Sequence, residues 1–304
     1  MVGSAIVRNL KGNGFNNLIL RTHNELDLIS QNEVLQFFNK EKPEVVFIAA
    51  ATVGGIHANN TYRGQFLYEN LMIQSNIIHA AHGNKVKKLM FLGSACIYPR
   101  NAPQPIKEEH LLTDKLEFTN EPYAIAKIAG IKLCENYYRQ YGDNYISVMP
   151  NNLYGINDNF DLKNSHVLPA LMRKLHEAKI HNSEQVEVWG TGKPLREFLH
   201  VDDLVSACVF LMNNLEASDL YGEGISHINV GSGDEVTIKE LALTIKEIIG
   251  YKGELVFNGD YPDGMPRKLL GFTKITDLGW QAKINLKNSI NLVYNCYLRN
   301  IVKA

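Results

Sequence analysis

A chain of 304 residues is long enough to bury a large core, as one α/β unit or as two closely joined domains. Hydrophobic residues make up 45%, charged residues 21%, and the formal net charge is −1, which excludes an overall basic field for nucleic acid or an acidic membrane surface. The densest basic cluster, Lys85, Lys87 and Lys88, reads as the solvated entrance to an apolar strand. Cys96, Cys134, Cys208 and Cys296 are widely spaced and form no CxxC pair, which argues against a metal knuckle or redox motif and suits a reducing compartment. The longest apolar run, residues 45–51, is too short to span a bilayer, and no signal peptide is read at the start. The expectation is a cytoplasmic protein with no metal, no membrane and no nucleic-acid partner.

In chain order, residues 1–12 read as an amphipathic helix with Val2, Ala5, Ile6 and Leu10 on one side. Short apolar runs at 17–21, 44–50, 88–93 and 145–150 read as buried strands. Between them, 31–40, 61–83 and 123–141 have helical period, so βαβ units and a parallel sheet are expected. The helix over 61–83 carries Phe66, Leu67, Leu71, Ile73, Ile77 and Ile78, a face suited either to its own domain or, together with the helix over 123–141, to a second subunit. Beyond Pro150 the loops lengthen, around 157–165 and 254–267, and the helices over 167–179 and 237–249 no longer alternate regularly with strands. A smaller domain closing over the C-terminal edge of the sheet is expected there. No internal repeat or low-complexity tract is evident.

The chemistry-bearing residues centre on YAIAK, 123–127, with Ser94 upstream at the end of a strand. On a helix, Tyr123 and Lys127 share one face, and an ammonium beside a phenol favours the phenolate. Such a phenol exchanges a proton near neutral pH, while a neighbouring serine hydroxyl holds the substrate oxygen. Taken alone the spacing is also met in ordinary helices.

Longer stretches carry a resemblance. The segments LGSACIYP (92–99), NEPYAIAKIAG (120–130), MPNNLYG (149–155), NSHVLP (164–169), REFLHVDD (196–203), HINVG (227–231) and PDGMPRKLL (262–270) closely resemble the GDP-L-fucose synthase family of extended short-chain dehydrogenases/reductases. The resemblance spans nearly the whole chain. It implies an α/β, Rossmann-type doubly wound parallel sheet with a smaller α/β substrate domain, the first covering 1–155 with 198–230 and the second 156–197 with 231–304. It implies epimerisation at C3 and C5 of GDP-4-keto-6-deoxy-D-mannose, reduction at C4 by NADPH, and a homodimer.

By the same resemblance Ser94, Cys96, Tyr123, Lys127 and His166 are catalytic, with Cys96 the base and His166 the acid that invert centres beside the ketone. Related dehydratases place an acidic pair after the serine-turn hydroxyl, whereas this turn has none. The resemblance assigns NADP to Gly3, Ala49, Ala50, Ala51, Leu92, Gly93, Tyr123, Lys127, Pro150, Asn151, Asn152, Leu153 and His166, with Arg21 and His23 where a 2′-phosphate would lie. It assigns the sugar nucleotide to Asn152, Val167, Leu171, Lys174, Trp189, Arg196, Asp263 and Lys268. Of these, Lys174, Arg196 and Lys268 suit a diphosphate, and Trp189 in VEVWGTG suits either a guanine face or a core position. NNTY, 59–62, also resembles the family without an assignable role.

Some features depart from the pattern. The family's first strand and two further phosphate-loop glycines, with an arginine nearby, are not found ahead of residues 1–5, where only Gly3 fits. A central strand is costly to lose, so an upstream start is expected, the alternative being a remnant that holds NADP poorly. Thr52 stands where the family has lysine, Ile156 where it has proline and Gly271 where it has an acid. Two other readings stay open at this point: an enzyme of the same fold acting on another nucleotide sugar, and a silent sugar-nucleotide-binding homologue.

Overall fold

The computed structural model describes residues 1–162 and 164–301. The first part of the chain runs α1 (Val2–Gly12), α2 (Gln31–Glu41), β1 (Val45–Ile48), α3 (Ile56–Thr61), α4 (Arg63–Gly83) and β2 (Lys88–Leu92). Then come α5 (Glu121–Tyr141), β3 (Tyr145–Pro150), β4 (Asn152–Tyr154), α6 (Val167–Ile180), β5 (Gln185–Trp189), β6 (Leu195–His200), α7 (Val201–Asn214) and α8 (Ala217–Gly222). The remainder is β7 (Ile228–Val230), β8 (Glu235–Thr237), α9 (Ile238–Ile249), β9 (Glu254–Asn258), β10 (Arg267–Lys268), α10 (Thr273–Asp277) and α11 (Leu286–Ile301).

Four strands form a parallel sheet in the order β1-β2-β3-β7. Along β2 the side chains alternate between two cores, as the pleat requires. Met90 and Leu92 join Ala5 and Ile6 of α1 and Leu204, Val205 and Leu211 of α7. Leu89 and Phe91 join Val34 and Phe38 of α2, Ile77 and Ile78 of α4, and Ile128 and Ile131 of α5. Both faces are covered, which is why the strands read as continuous apolar runs. The register pairs Ile48 with Phe91 and Leu92 with Val148, so the strands end along one edge.

A second group of elements stands on that edge. Strands β10, β6 and β4 run parallel, β8 pairs antiparallel with β6, and β5 pairs with β9. Their core brings Leu171, Met172 and Leu175 of α6 together with Leu241, Ala242 and Ile245 of α9 and Ile290 and Val293 of α11. Helix α9 starts on a reciprocal cap in which Thr237 Oγ1 accepts from Glu240 N at 3.0 Å and Glu240 Oε2 accepts from Thr237 N at 2.8 Å. Ile275 and Trp280 cross back and pack in the core shared by α1 and α7.

One expected strand is absent. Residues 17–21 form no strand and are mostly exposed. Among the described residues β1 is the outer strand of the sheet, with Val45 49% exposed, and 17–21 pairs with no strand. The helix expected over 61–83 is α4, and a separate short helix, α3, precedes it, the two divided at Tyr62, whose φ of −102° and ψ of 40° leave the helical region. Among the described residues no helix is long and apolar enough to cross a membrane.

Candidate active site

Helix α5 carries Pro122 in its first turn, where its missing N–H costs nothing. The helix sits hard against β2 at Gly130, where an added Cβ would lie 2.4 Å from Phe91 Cζ. That approach brings the Lys127 ammonium to the strand end, where it donates to the Leu92 carbonyl at 2.8 Å. It also hangs 4.8 Å above the Phe91 ring and 5.7 Å from the centre of the Tyr123 ring. Burial pulls Lys127 down to about 8, with the Cys96 thiolate form opposing that fall.

The expected effect of Lys127 on Tyr123 is corrected by this geometry. Burial pushes the Tyr123 phenol above its ordinary value, and a negative charge on Cys96 adds to the rise. Desolvation of the phenolate dominates because the amine faces the Leu92 carbonyl and is itself easily deprotonated. Burial therefore favours the neutral phenol at Tyr123.

Just past β2, Ser94 Oγ accepts from Cys96 N at 3.5 Å and opens a short 3-10 turn, Ala95–Ile97. The turn buries Cys96 to 6% exposure. Burial raises its thiol, opposed in turn by Lys268, the Ser94 hydroxyl and Lys127. His166 stands at the start of α6 in extended conformation and faces a cavity. Desolvation by the cavity walls lowers its imidazole, and Lys268 lowers it further. Lys268 thus acts electrostatically on both Cys96 and His166. Its own ammonium is drawn down to about 8 by burial. A diphosphate role for this lysine came from sequence; the charges that act on it are those of Cys96, Arg196 and Glu197, and it acts in turn on His166.

A residue with no role in the sequence reading holds this region together. Glu197 is fully buried, and its carboxylate accepts from Gly233 N at 2.8 Å, from Leu270 N at 3.1 Å and from the Asn151 side-chain amide. Asn151 also donates to the Lys268 carbonyl at 3.2 Å, and Asn152 Nδ2 donates to the Glu197 carbonyl at 2.8 Å. One carboxylate therefore joins the end of β3, β6, β10 and the turn after β7. Burial raises its carboxyl while those donors oppose the rise. A glutamate inside an apolar strand, REFLH, is the signal that points to it.

The cavity has a volume of about 480 Å³. Of the residues nominated for the sugar nucleotide, Asn152, Val167, Leu171, Lys174, Trp189, Arg196 and Asp263 line it. Leu153 and His166, nominated for the cofactor, line it too, as do Ile56, His57, Asn60, Thr119 and Tyr261, which were not nominated. Asn60 belongs to the segment that had no assignable role. Arg196 donates to the carbonyls of Leu195 at 2.8 Å and Asp263 at 3.1 Å, and Lys174 to that of Glu187 at 3.3 Å. Among the described residues neither they nor Lys268 is within ion-pair distance of a carboxylate; Glu187, Asp263 and Glu197 act on Lys174, Arg196 and Lys268 from farther away, and the three desolvated cations favour an anion. The Asp263 carboxylate is engaged by Thr191, accepting from its N–H and its hydroxyl at 2.7 Å each. Trp189 is 43% exposed and not a core residue.

The remaining cofactor nominees divide. Ala49, Ala50 and Ala51 follow β1, Leu92 and Gly93 end β2, and Pro150 ends β3, all on the same sheet edge. At Gly93 an added Cβ would lie 2.2 Å from Met149 Sδ. Gly3 lies in the first turn of α1 with nothing within 4 Å of where a Cβ would be. Arg21 is turned away, paired with Glu41 at 2.6 Å and donating to the Leu20 carbonyl at 2.7 Å, and His23 is exposed.

Residues 1–231 match the NAD dependent epimerase/dehydratase family. A putative GDP-L-fucose synthase 2 of Arabidopsis thaliana is 60% identical, covering 100% of this chain and 90% of its own length. The GDP-L-fucose synthase of Escherichia coli K12 is 55% identical, covering 99% of this chain and 94% of its own. Among solved structures, a GDP-D-glycero-L-gluco-heptose synthase from Campylobacter jejuni, determined in the presence of NADPH, superposes with a TM-score of 0.92 at 45% identity, covering 98% of this chain and 95% of its own. The chain belongs to the NAD dependent epimerase/dehydratase family, alongside the GDP-L-fucose synthases.

Proposed function

We propose that this protein converts GDP-4-keto-6-deoxy-D-mannose to GDP-L-fucose, inverting C3 and C5 and then reducing C4 with NADPH. The observation that carries the reading is the joint electrostatic hold of Lys268 on Cys96 and His166, beside Tyr123 and Lys127 and next to a cavity lined by unpaired cations. Protons on the carbons beside a C4 ketone are acidified because the resulting carbanion delocalises into an enolate. Cys96 removes such a proton, and a thiol pushed upward is a stronger base once ionised. His166 returns one from the opposite face, and an imidazole held down is a readier donor once protonated. The Lys268 charge offsets the enolate as it forms. Tyr123, kept protonated by burial, donates to the C4 oxygen, which the Ser94 hydroxyl orients.

The donors present suit a dinucleotide: Lys127 at the strand end, small residues after β1, and the first-turn amides of α1 with open space around Gly3. When bound, NADPH supplies the hydride delivered to C4. Lys127 then orients a cofactor hydroxyl, and Arg196 and Lys174 hold the diphosphate of the substrate. We assign residues 1–155 with 198–230 to the cofactor and 156–197 with 231–304 to the sugar nucleotide, in line with the separate core around α6, α9 and α11. Tyr68 and Ile125, exposed on α4 and α5, support association of two copies through those helices, which sedimentation would test. Four free cysteines, three of them buried, suit a cytoplasmic setting.

Purified protein incubated with the keto sugar and NADPH in deuterated water tests the reading. The wild type should consume NADPH and place deuterium at C3 and C5. Tyr123→Phe should lose reduction, whereas Cys96→Ser should chiefly slow deuterium entry. Reduction at the wild-type rate by Tyr123→Phe would refute the assignment.

A further inference from the structure

At the mouth of the cavity, Trp189 and Tyr261 stack on each other, their ring centres 4.6 Å apart and their planes 10° from parallel. Trp189 is fixed by strand β5, and its indole N–H donates to Glu187 at 3.0 Å. Tyr261 stands on the loop between β9 and β10. Asp263 anchors that loop on Thr191, and Asp260 N anchors it on the Asn258 side chain at 3.0 Å. Among the described residues no group hydrogen-bonds the Tyr261 hydroxyl, while the loop that carries it is anchored. Two large rings left 43% and 38% exposed, each covering the other, form an aromatic surface with no buried partner.

We propose that Tyr261 is the movable wall of a nucleobase clamp. The inference rests on the reading above that a sugar nucleotide binds here, and adds a residue that determines affinity for its base. A purine ring stacks on an aromatic face at about 3.5 Å, so it enters between the two rings only when they separate to about 7 Å. The apo stack closes on itself and opens by rotation of Tyr261. Lys174, with its Nζ 4.5 Å from the centre of the Trp189 ring, supplies a cation beside the clamp.

Titration of the protein with GDP, followed by tryptophan fluorescence, tests the clamp. Trp280 is only 6% exposed, so the ligand-dependent change reports on Trp189. Tyr261→Phe should bind GDP within about twofold of wild type, since the stacking face is kept. Tyr261→Ala should weaken GDP by about 5- to 100-fold, the range of one lost base–aromatic stack, with NADPH binding unchanged. GDP bound equally or more tightly by Tyr261→Ala would overturn the clamp and leave the sugar-nucleotide reading intact. A wild type that binds NADPH but no GDP would overturn both.

Discussion

Lys127→Met puts the burial of the catalytic amine to a quantitative test. In the ligand-free protein Lys127 is 3% exposed, its hydrogen-bond acceptor is the Leu92 carbonyl, and its pKa falls from 10.5 to about 8. At ~1.4 kcal/mol per pKa unit, that fall means folding is opposed by about 3 kcal/mol wherever the amine is charged in both states. Methionine fills nearly the same volume without the charge, but leaves the Leu92 carbonyl without its donor, a loss of about 1–2 kcal/mol. At pH 7 the variant should therefore be more stable by about 1–2 kcal/mol.

The sign follows from proton counts. Between about 8 and 10.5 the unfolded chain holds the proton more tightly than the folded one, so wild-type stability rises with pH across that window. At about pH 9.5 the opposition has shrunk to about 1 kcal/mol, and the advantage of the variant should vanish. Urea unfolding of both proteins at these two pH values reads the gap directly, while the kcat/KM of reduction should fall by about 100-fold or more. A variant less stable than wild type at pH 7, or a gap independent of pH, would show that Lys127 is not a desolvated charge.

Two further outcomes follow from the same geometry. Lys268→Met removes the cation that lowers both the Cys96 thiol and the His166 imidazole, so the pH profile of deuterium entry should move to higher pH with NADPH affinity unchanged; an unmoved profile would separate Lys268 from the proton transfers. Gly130→Ala improves helix propensity by about 1 kcal/mol, yet its Cβ meets the fully buried Phe91 ring at 2.4 Å, an overpacking of about 1–3 kcal/mol. Thermal unfolding should show a net loss together with slower reduction, and a gain in stability would mean that α5 has room to move off β2.

The local elements were legible because each rests on short-range physics. Alternation and helical period placed β2, β3, α5 and α9, and the Thr237–Glu240 cap and left-handed Gly250 bound α9 as the letters suggest. Residues 17–21 looked like a strand by the same rules and form none, because a strand also requires a neighbouring ladder, which no local pattern encodes.

The site divides in the same way. The sequence alone nominated the residues proposed to carry chemistry, since Ser94, Cys96, Tyr123, Lys127 and His166 stand in long motifs. Tertiary structure decided what surrounds each of them. It buried Tyr123 so that the neutral phenol is favoured, brought the Lys268 charge to bear on Cys96 and His166, engaged Asp263 with Thr191, and made buried Glu197 the link between four segments. Burial and the approach of distant charges set those properties, and both depend on chain segments up to about a hundred residues or more apart meeting in space.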